Sequence, residues 1–327
     1  MALESGTYVK DLVSTNPPGT DAISQGDDHL RLIKSVLQNS FPSNSNAPII
    51  PDVSGNGGKY LQVNSGATAT QWATIRNRGY INRSQFDYSN TTTILIGAGS
   101  YEVDDGSAPE TFYWDSQLTF VLGSGGSNAS SSAIGTSQWQ YIYMDESAIS
   151  ASPLVAASFL NSTTAPTYSH TKHGWYNSSD RCVFAVYINA SGQVDPFYHN
   201  GSDFVQFAED YTEFDVNPPT FNSWEPLGPF VRTLPIGKEA ELTWNLKSTG
   251  GTTNSVSWSW RPRGSASNGH MLGITEAGSG GLDDEHISTN IRTFLGTDNK
   301  LDYYANSSAI GHRFTVYSNG FYIPGGM

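Results

Sequence analysis

The residues best equipped for chemistry sit in three short groups. In "SHTKHGW", His170 and His173 stand three apart, with Asp180 further on. In a strand or loop that spacing does not by itself bring two imidazoles together, and no cysteine or third histidine lies near enough to complete a zinc site. A hydrogen-bonded turn is the plainer expectation. "GLDDEHIS" sets Asp283, Asp284, Glu285 and His286 side by side, the oxygen-rich chemistry that suits Ca²⁺, but the loop spacing and glycine of an EF-hand are missing. A solvated acidic turn is expected there. Asp104, Asp105, Asp145 and Glu146 supply the carboxylates that glycosidic cleavage needs at a fixed separation, although spacing along strands sets no pair together. There is no Gly-x-Ser-x-Gly elbow, no Cys/His nucleophile pattern and no dinucleotide fingerprint. Gly58-Lys59 is no phosphate loop, because the glycine five residues ahead and the following Ser or Thr are absent. The expectation is a non-enzymatic protein with no catalytic residue, no metal and no cofactor.

The elements that would position such residues are mostly strands. Charged residues make up 14% of the 327, against about 25% in an average soluble protein, and glycine and proline punctuate runs rich in Val, Ile, Thr, Tyr, Phe and Trp. The fold class is mainly β. A net charge of -13 without a Lys/Arg run lacks the footprint for a phosphate backbone, so nucleic acid is not an expected partner. The single cysteine, Cys182 in "RCVFAVYI", forms no intrachain disulfide and is expected to pack as a small hydrophobe. No run reaches the roughly 18 apolar residues of a membrane span, and "MALESGTYVK" has no apolar signal-peptide core, so synthesis in a cytoplasm is expected.

One helix stands apart, in "SQGDDHLRLIKSVLQNSFP". Ser24 and Asp27 form a capping pair, Asp27 and Asp28 suit the positive end of the dipole, and Pro42 ends the helix. Leu30, Ile33, Leu37 and Phe41 fall on one face and Leu32 and Val36 on a second stripe, with Arg31, Lys34, Ser35 and Gln38 on the wet side. About four turns are marginal alone, and the Pro, Gly, Ser and Asn around them build no core, so this helix needs partners. Residues 47–78 follow as a hairpin module with a Gly/Asn turn, equally unable to stand alone. From Gly79 to about Val216 roughly eight to ten strands are expected as a β-sandwich, with Ser191-Gly192 and Asn200-Gly201 as hairpin turns. "DVNPPTFNSWEPLGPF" breaks the pattern, and residues 219–327 form a second β domain whose last hairpin turns at Asn319-Gly320. In "SVSWSWRP", alternation puts Val256, Trp258 and Trp260 on one face.

The opening segment resembles the N-terminal anchor of bacteriophage tail-fibre proteins, through Leu3-Glu4-Ser5-Gly6-Thr7-Tyr8, Asp11-Leu12, Asn16-Pro17 and the run from Gly26 to Lys34. Gly58-Lys59-Tyr60-Leu61 with Gln71-Trp72-Ala73 is similar to a module that often follows such anchors. "TAPTYSHTKHGWYNSSDRCVFAVYI" resembles a β domain of phage fibre and tail proteins. The resemblance implies a homotrimeric virion fibre with four regions: an attachment segment (1–46), the hairpin module (47–78), a β-sandwich domain (79–218) and a β domain at the distal tip (219–327). It implies attachment to a tail component such as an adaptor or nozzle protein through Asp27, Asp28, His29, Leu30, Leu32, Ile33, Val36, Leu37 and Phe41. At the far end it implies contact with a host-surface glycan or protein receptor, for which Trp258, Trp260, Tyr303, Tyr304, Phe321 and Tyr322 are the candidate aromatics, each weighed against a place in a sandwich core. The alternatives are a polysaccharide-degrading tailspike and a decoration or adaptor protein with no receptor site.

Overall fold

Helical periodicity produces one element, α1 (Gly26–Ser40). The chain is seen in a computed structural model that describes residues 26–40, 59–63, 70–74, 80–104, 109–150, 152–216, 223–249, 255–266, 269–275, 283–305 and 312–327. Ser24, Phe41, Pro42 and the side chain of Asp27, all invoked for the helix, lie outside the described residues. The chain divides into two compact units, Met1–Ile75 and Arg76–Met327. Along α1, Val36 is fully buried, Leu32 and His29 are half-buried, and Leu30, Ile33 and Leu37 are exposed. The two apolar stripes therefore differ: one is covered and one faces outward. The expected hairpin is present in the same unit, β1 (Lys59–Val63) pairing with β2 (Thr70–Thr74) in antiparallel register with Leu61 opposite Trp72.

In the second unit, turn residues at short intervals cut the chain into many short strands. Before the proline-rich segment come β3 (Tyr80–Asn82), β4 (Phe86–Asn90), β5 (Thr93–Ile96), β6 (Gly99–Asp104), β7 (Pro109–Trp114), β8 (Leu118–Val121), β9 (Gln138–Met144), β10 (Phe159–Ser162), β11 (Thr167–Ser169), β12 (Gly174–Asn177), β13 (Asp180–Ile188), β14 (Phe197–His199) and β15 (Phe204–Val216). After it come β16 (Trp224–Leu227), β17 (Glu239–Thr249), β18 (Ser255–Pro262), β19 (His270–Thr275), β20 (Asp283–Phe294), β21 (Leu301–Ala305) and β22 (His312–Tyr322). The strands before the break are more numerous and shorter than expected. They pair antiparallel into sheets ordered β10-β9-β13-β12-β11, β14-β15-β22-β17-β20, β16-β21-β18-β19, β3-β6-β7 and β4-β5-β8.

The core of the first sheets is centred on β13, buried from Arg181 to Ile188, as a strand covered on both faces must be. Phe184 stacks on Phe86 with centroids 4.0 Å apart, while Trp139, paired with Tyr187, meets Phe321 edge-on at 4.8 Å. Cys182 is fully buried here with its thiol toward the Phe184 carbonyl, in keeping with packing as a small hydrophobe. A second core lies between the β17–β22 and β18–β21 faces, where Trp258 packs on Phe314 at 4.4 Å and Trp244 on Trp260 at 5.2 Å. The alternation read in "SVSWSWRP" thus turns Trp258 and Trp260 inward.

The boundary expected after residue 218 falls inside the second unit. β15 pairs with the C-terminal strand β22, from Phe204 opposite Tyr322 to Val216 opposite Phe314, and Phe321, Ile323 and Met327 join the first core. The proline-rich stretch also ends in a docked strap. Glu213 accepts hydrogen bonds from the backbone N–H groups of Val231 (3.1 Å) and Arg232 (3.0 Å) and from the Ser318 hydroxyl (2.8 Å). Arg232 pairs with buried Asp195 at 3.0 Å while its guanidinium covers the Tyr211 ring at 3.9 Å, and Trp139 Nε1–H donates to the Val231 carbonyl at 3.0 Å.

The dipeptide readings meet the structure unevenly. Ser191-Gly192 lies in a tight turn from Asn189 to Gln193, with Gly192 at φ +72°. Asn200-Gly201 turns a hairpin, but through a longer loop between His199 and Val205, with Asn200 Oδ1 accepting from Ser202 N–H. Asn319-Gly320 is no turn: it lies inside β22, with Gly320 opposite Gln206 and Glu241. A Cβ on Gly320 would sit 2.3 Å from the Val205 carbonyl oxygen and 2.7 Å from the Phe204 ring. The glycine serves close approach between strands.

Candidate functional site

Alternation places Tyr198 on the outer face of β14, between buried Phe197 and His199, and the hairpin register sets Gln206 of β15 directly opposite it. Gln85, just before β4, and Asp87 within it flank buried Phe86 and point the same way. The backbone N–H of Phe86 donates to His199 Nδ1 at 3.0 Å, which draws β4 alongside β14. Gln85, Asp87, Tyr198, Asn200, Ser202, Phe204 and Gln206 then line an open concavity of about 310 Å³ with His199 at its base.

His199 holds this geometry. A backbone N–H can only donate and a carbonyl can only accept, so the bond from Phe86 and the 2.9 Å contact to the Ser202 carbonyl together fix a neutral imidazole with its proton on Nε2. Burial is the main reason that its pKa lies below the ordinary value of 6.5. The loop from Asn200 to Phe204 is tied further by the Arg83–Asp203 ion pair and by Ser202 Oγ, which accepts from Phe204 N–H at 3.2 Å. Phe204 leans on Tyr322 at 5.0 Å, against the space left by Gly320. The rim is polar. Gln85 Nε2 donates to Asp87 Oδ1 at 2.9 Å, leaving Gln85 Oε1 and the other Asp87 oxygen outward as acceptors. Among the described residues, the Tyr198 hydroxyl, the Asn200 amide nitrogen and the Gln206 side chain make no hydrogen bond. No protein-family model matches the chain, and no curated protein matches it.

The aromatic residues expected to face a receptor divide differently. Trp258, Trp260, Tyr303 and Phe321 are buried in the two cores, because the side of each sheet that carries them is the one packed against another sheet. Tyr304 and Tyr322 are half-buried on the outer sides. Tyr304 lies beside Trp224 at 5.5 Å, and Tyr322 donates to Glu241 at 3.0 Å beneath the Arg292 guanidinium.

Of the chemistry-bearing groups, Asp180 is brought against the Asp145–Glu146 turn, its Oδ1 accepting from the Glu146 N–H at 3.0 Å. His173 occupies a left-handed turn position at φ +52° between β11 and β12, and His170 packs its ring on Tyr168. Asp283, Asp284, Glu285 and His286 open strand β20 instead of forming an acidic turn. Asp145 is buried: it accepts from Asn128 at 2.8 Å and from the Ser147 N–H and hydroxyl, capping the 3-10 turn Glu146–Ala148. Asp105 lies outside the described residues. No group of three or more His, Cys, Asp or Glu placed to hold a metal occurs among the described residues.

Tyr198, Gln206, Gln85 and Asp87 were not singled out in sequence. The alternation in "PFYH", "SQFDY" and "FVQF" marks them as outward-facing, yet nothing local shows that the run at 84–88 lies beside the other two. A flat aromatic ring beside amides and a carboxylate, on a loop held by buried hydrogen bonds, can receive a small polar ligand with an apolar face.

Proposed function

We propose that the chain is a structural protein of a phage virion, a non-enzymatic tail fibre that joins the particle through its N-terminal unit and meets the host surface with its β unit. The observation that carries this reading is the outward stripe on α1: Leu30 is 59%, Ile33 42% and Leu37 45% exposed, while Val36 of the same helix is fully covered. Apolar side chains lined along one helix face are the pattern of a surface built for another chain. The stripe belongs to a unit separate from Arg76–Met327, so attachment and recognition can reside in different parts of the chain. The likeness of the opening segment to fibre anchors supports the same assignment, with sister copies on the helices in a homotrimer and a tail adaptor or nozzle protein as the docking partner.

Replacing Leu30, Ile33 and Leu37 with Asp tests it. The β unit should melt at an unchanged temperature, while light scattering should show a lower oligomeric mass and the variant should no longer be incorporated into particles. A wild-type chain that is monomeric, or a triple variant incorporated as well as wild type, would overturn the reading. Release of reducing ends from host surface glycan would favour the tailspike alternative, and absence of any binding to cells would favour the adaptor.

A further inference from the structure

We infer that the concavity between β4 and the β14–β15 hairpin is a binding site for an uncharged pyranose sugar. This gives a ligand class to the host-surface reading and rests on it only for its biological meaning. Three observations converge. First, Tyr198 is 67% exposed, the largest exposure of any aromatic residue among the described ones, although its neighbours Phe197 and His199 are buried; it presents a ring face and a hydroxyl without a partner. Aromatic faces stack on the C–H side of a sugar ring while hydroxyls at its edge seek polar partners. Second, the rim holds donors and acceptors in the mixture that vicinal hydroxyls need. The Asn200 amide nitrogen and the Gln206 amide can donate, and Gln85 Oε1 and the outward Asp87 oxygen can accept.

Third, size and charge narrow the ligand. A volume of about 310 Å³ stands at the small end of the range for small-molecule sites, enough for one or two sugar rings. Among the described residues that line it, Asp87 alone carries a carboxylate and none is a Lys or Arg, on a chain of net charge -13. Arg83, the nearest cation to the loop, is turned to Asp203 and the Ser202 carbonyl. An anionic sugar would meet repulsion with no cation among the lining residues to offset it. The site is also pre-formed: His199, Ser202 and the Arg83–Asp203 pair hold the loop by hydrogen bonds to its own backbone and side chains, which lowers the ordering cost of binding.

Saturation-transfer NMR on the full chain is the direct test, with the methyl glycosides of glucose, galactose and N-acetylglucosamine as neutral probes and N-acetylneuraminic acid as the anionic one. Transfer from aromatic protons to the ring of at least one neutral probe is expected, with a Kd of about 1 mM and no transfer to the acid. Tyr198→Ala and Gln206→Ala, both on the outer face, should each weaken binding about tenfold, the loss of one good contact of about 1.4 kcal/mol, with the melting temperature unchanged. No transfer to any neutral probe, undiminished transfer in Tyr198→Ala, or preference for the acid would overturn the inference. Cell binding separates it from the fibre reading. A protein that adheres to host cells but binds no probe sinks the sugar site alone; a sugar bound at Tyr198 that fails to displace the protein from cells keeps the site and sinks its role in recognition.

Discussion

At the scale of single residues, buried polar groups hold particular pieces of backbone in place. Arg181 is the extreme case: wholly buried, it donates to the Glu102 carbonyl at 3.0 Å, the Gly326 carbonyl at 2.7 Å and the Tyr176 hydroxyl at 3.1 Å. A Cβ at Gly174 would come within 2.6 Å of its guanidinium, so a glycine and an arginine seven residues apart are matched in space. His199 does comparable work in neutral form, and this makes stability depend on pH. Its folded pKa is lowered by burial from 6.5, so just below that pH the unfolded chain binds more protons than the folded one. The stability it contributes is complete above about pH 6.5 and is lost as pH falls toward and through the folded value. Urea titrations between about pH 7 and pH 5 should show the unfolding free energy of the wild type falling on acidification. His199→Gln, which keeps a donor and an acceptor but does not titrate, should fall less over that interval. Equal slopes would remove His199 as the cause.

At the scale of elements, the strap after the proline-rich stretch decides how strands far apart in sequence are held. Glu213 on β15 captures two backbone N–H groups that no strand partner satisfies, and Arg232 packs its guanidinium between Tyr187 and Tyr211 while pairing with Asp195. Hydrogen bonds to a charged group contribute about 1.5–3 kcal/mol each, discounted here because Glu213 is only half-buried. Glu213→Ala is expected to lower stability by about 2 kcal/mol and to speed hydrogen exchange at the Val231 and Arg232 amides ahead of those in β13. Exchange unchanged at those two amides would show that the strap is held by its apolar contacts instead. The proline content of this stretch was legible in sequence as a break; the docking of the strap after it was not, because the carboxylate that holds Val231 lies 18 residues upstream of it.

At the scale of the whole molecule, the second unit closes through its C-terminal strand. β22 joins β15 on one side and β17 on the other, and Phe321 lies against both Trp139 and Phe207. Residues 79–218 produced alone would therefore expose Val205, Phe207 and Trp139 and lose the ladder along β15. They should be insoluble or unfolded by circular dichroism, whereas residues 76–327 should melt in a single calorimetric transition. A soluble, cooperatively folded 79–218 fragment would support the boundary that the proline-rich segment suggested.

The sequence alone settles what local periodicity can settle. Glycine and proline spacing with β-branched and aromatic residues determines a mainly β chain, the 3.6-residue pattern determines one helix at Gly26–Ser40, and the turn residues between Leu61 and Trp72 determine the small hairpin. Two-residue alternation also puts Trp258 and Trp260 on one face and Ser259 on the other, while which face turns inward is decided by the packing of the sheets. The tertiary structure alone decides that β15 takes β22 as neighbour, that Gly320 admits Phe204 instead of turning a hairpin, that Tyr303 and Phe321 are core, and that Gln85 and Asp87 meet Tyr198 and Gln206 around one concavity. The physical reason is range. Propensity and alternation act over a few residues, whereas the pairing of distant strands follows from which faces fit when they meet, and that complementarity is written in no single stretch of the chain.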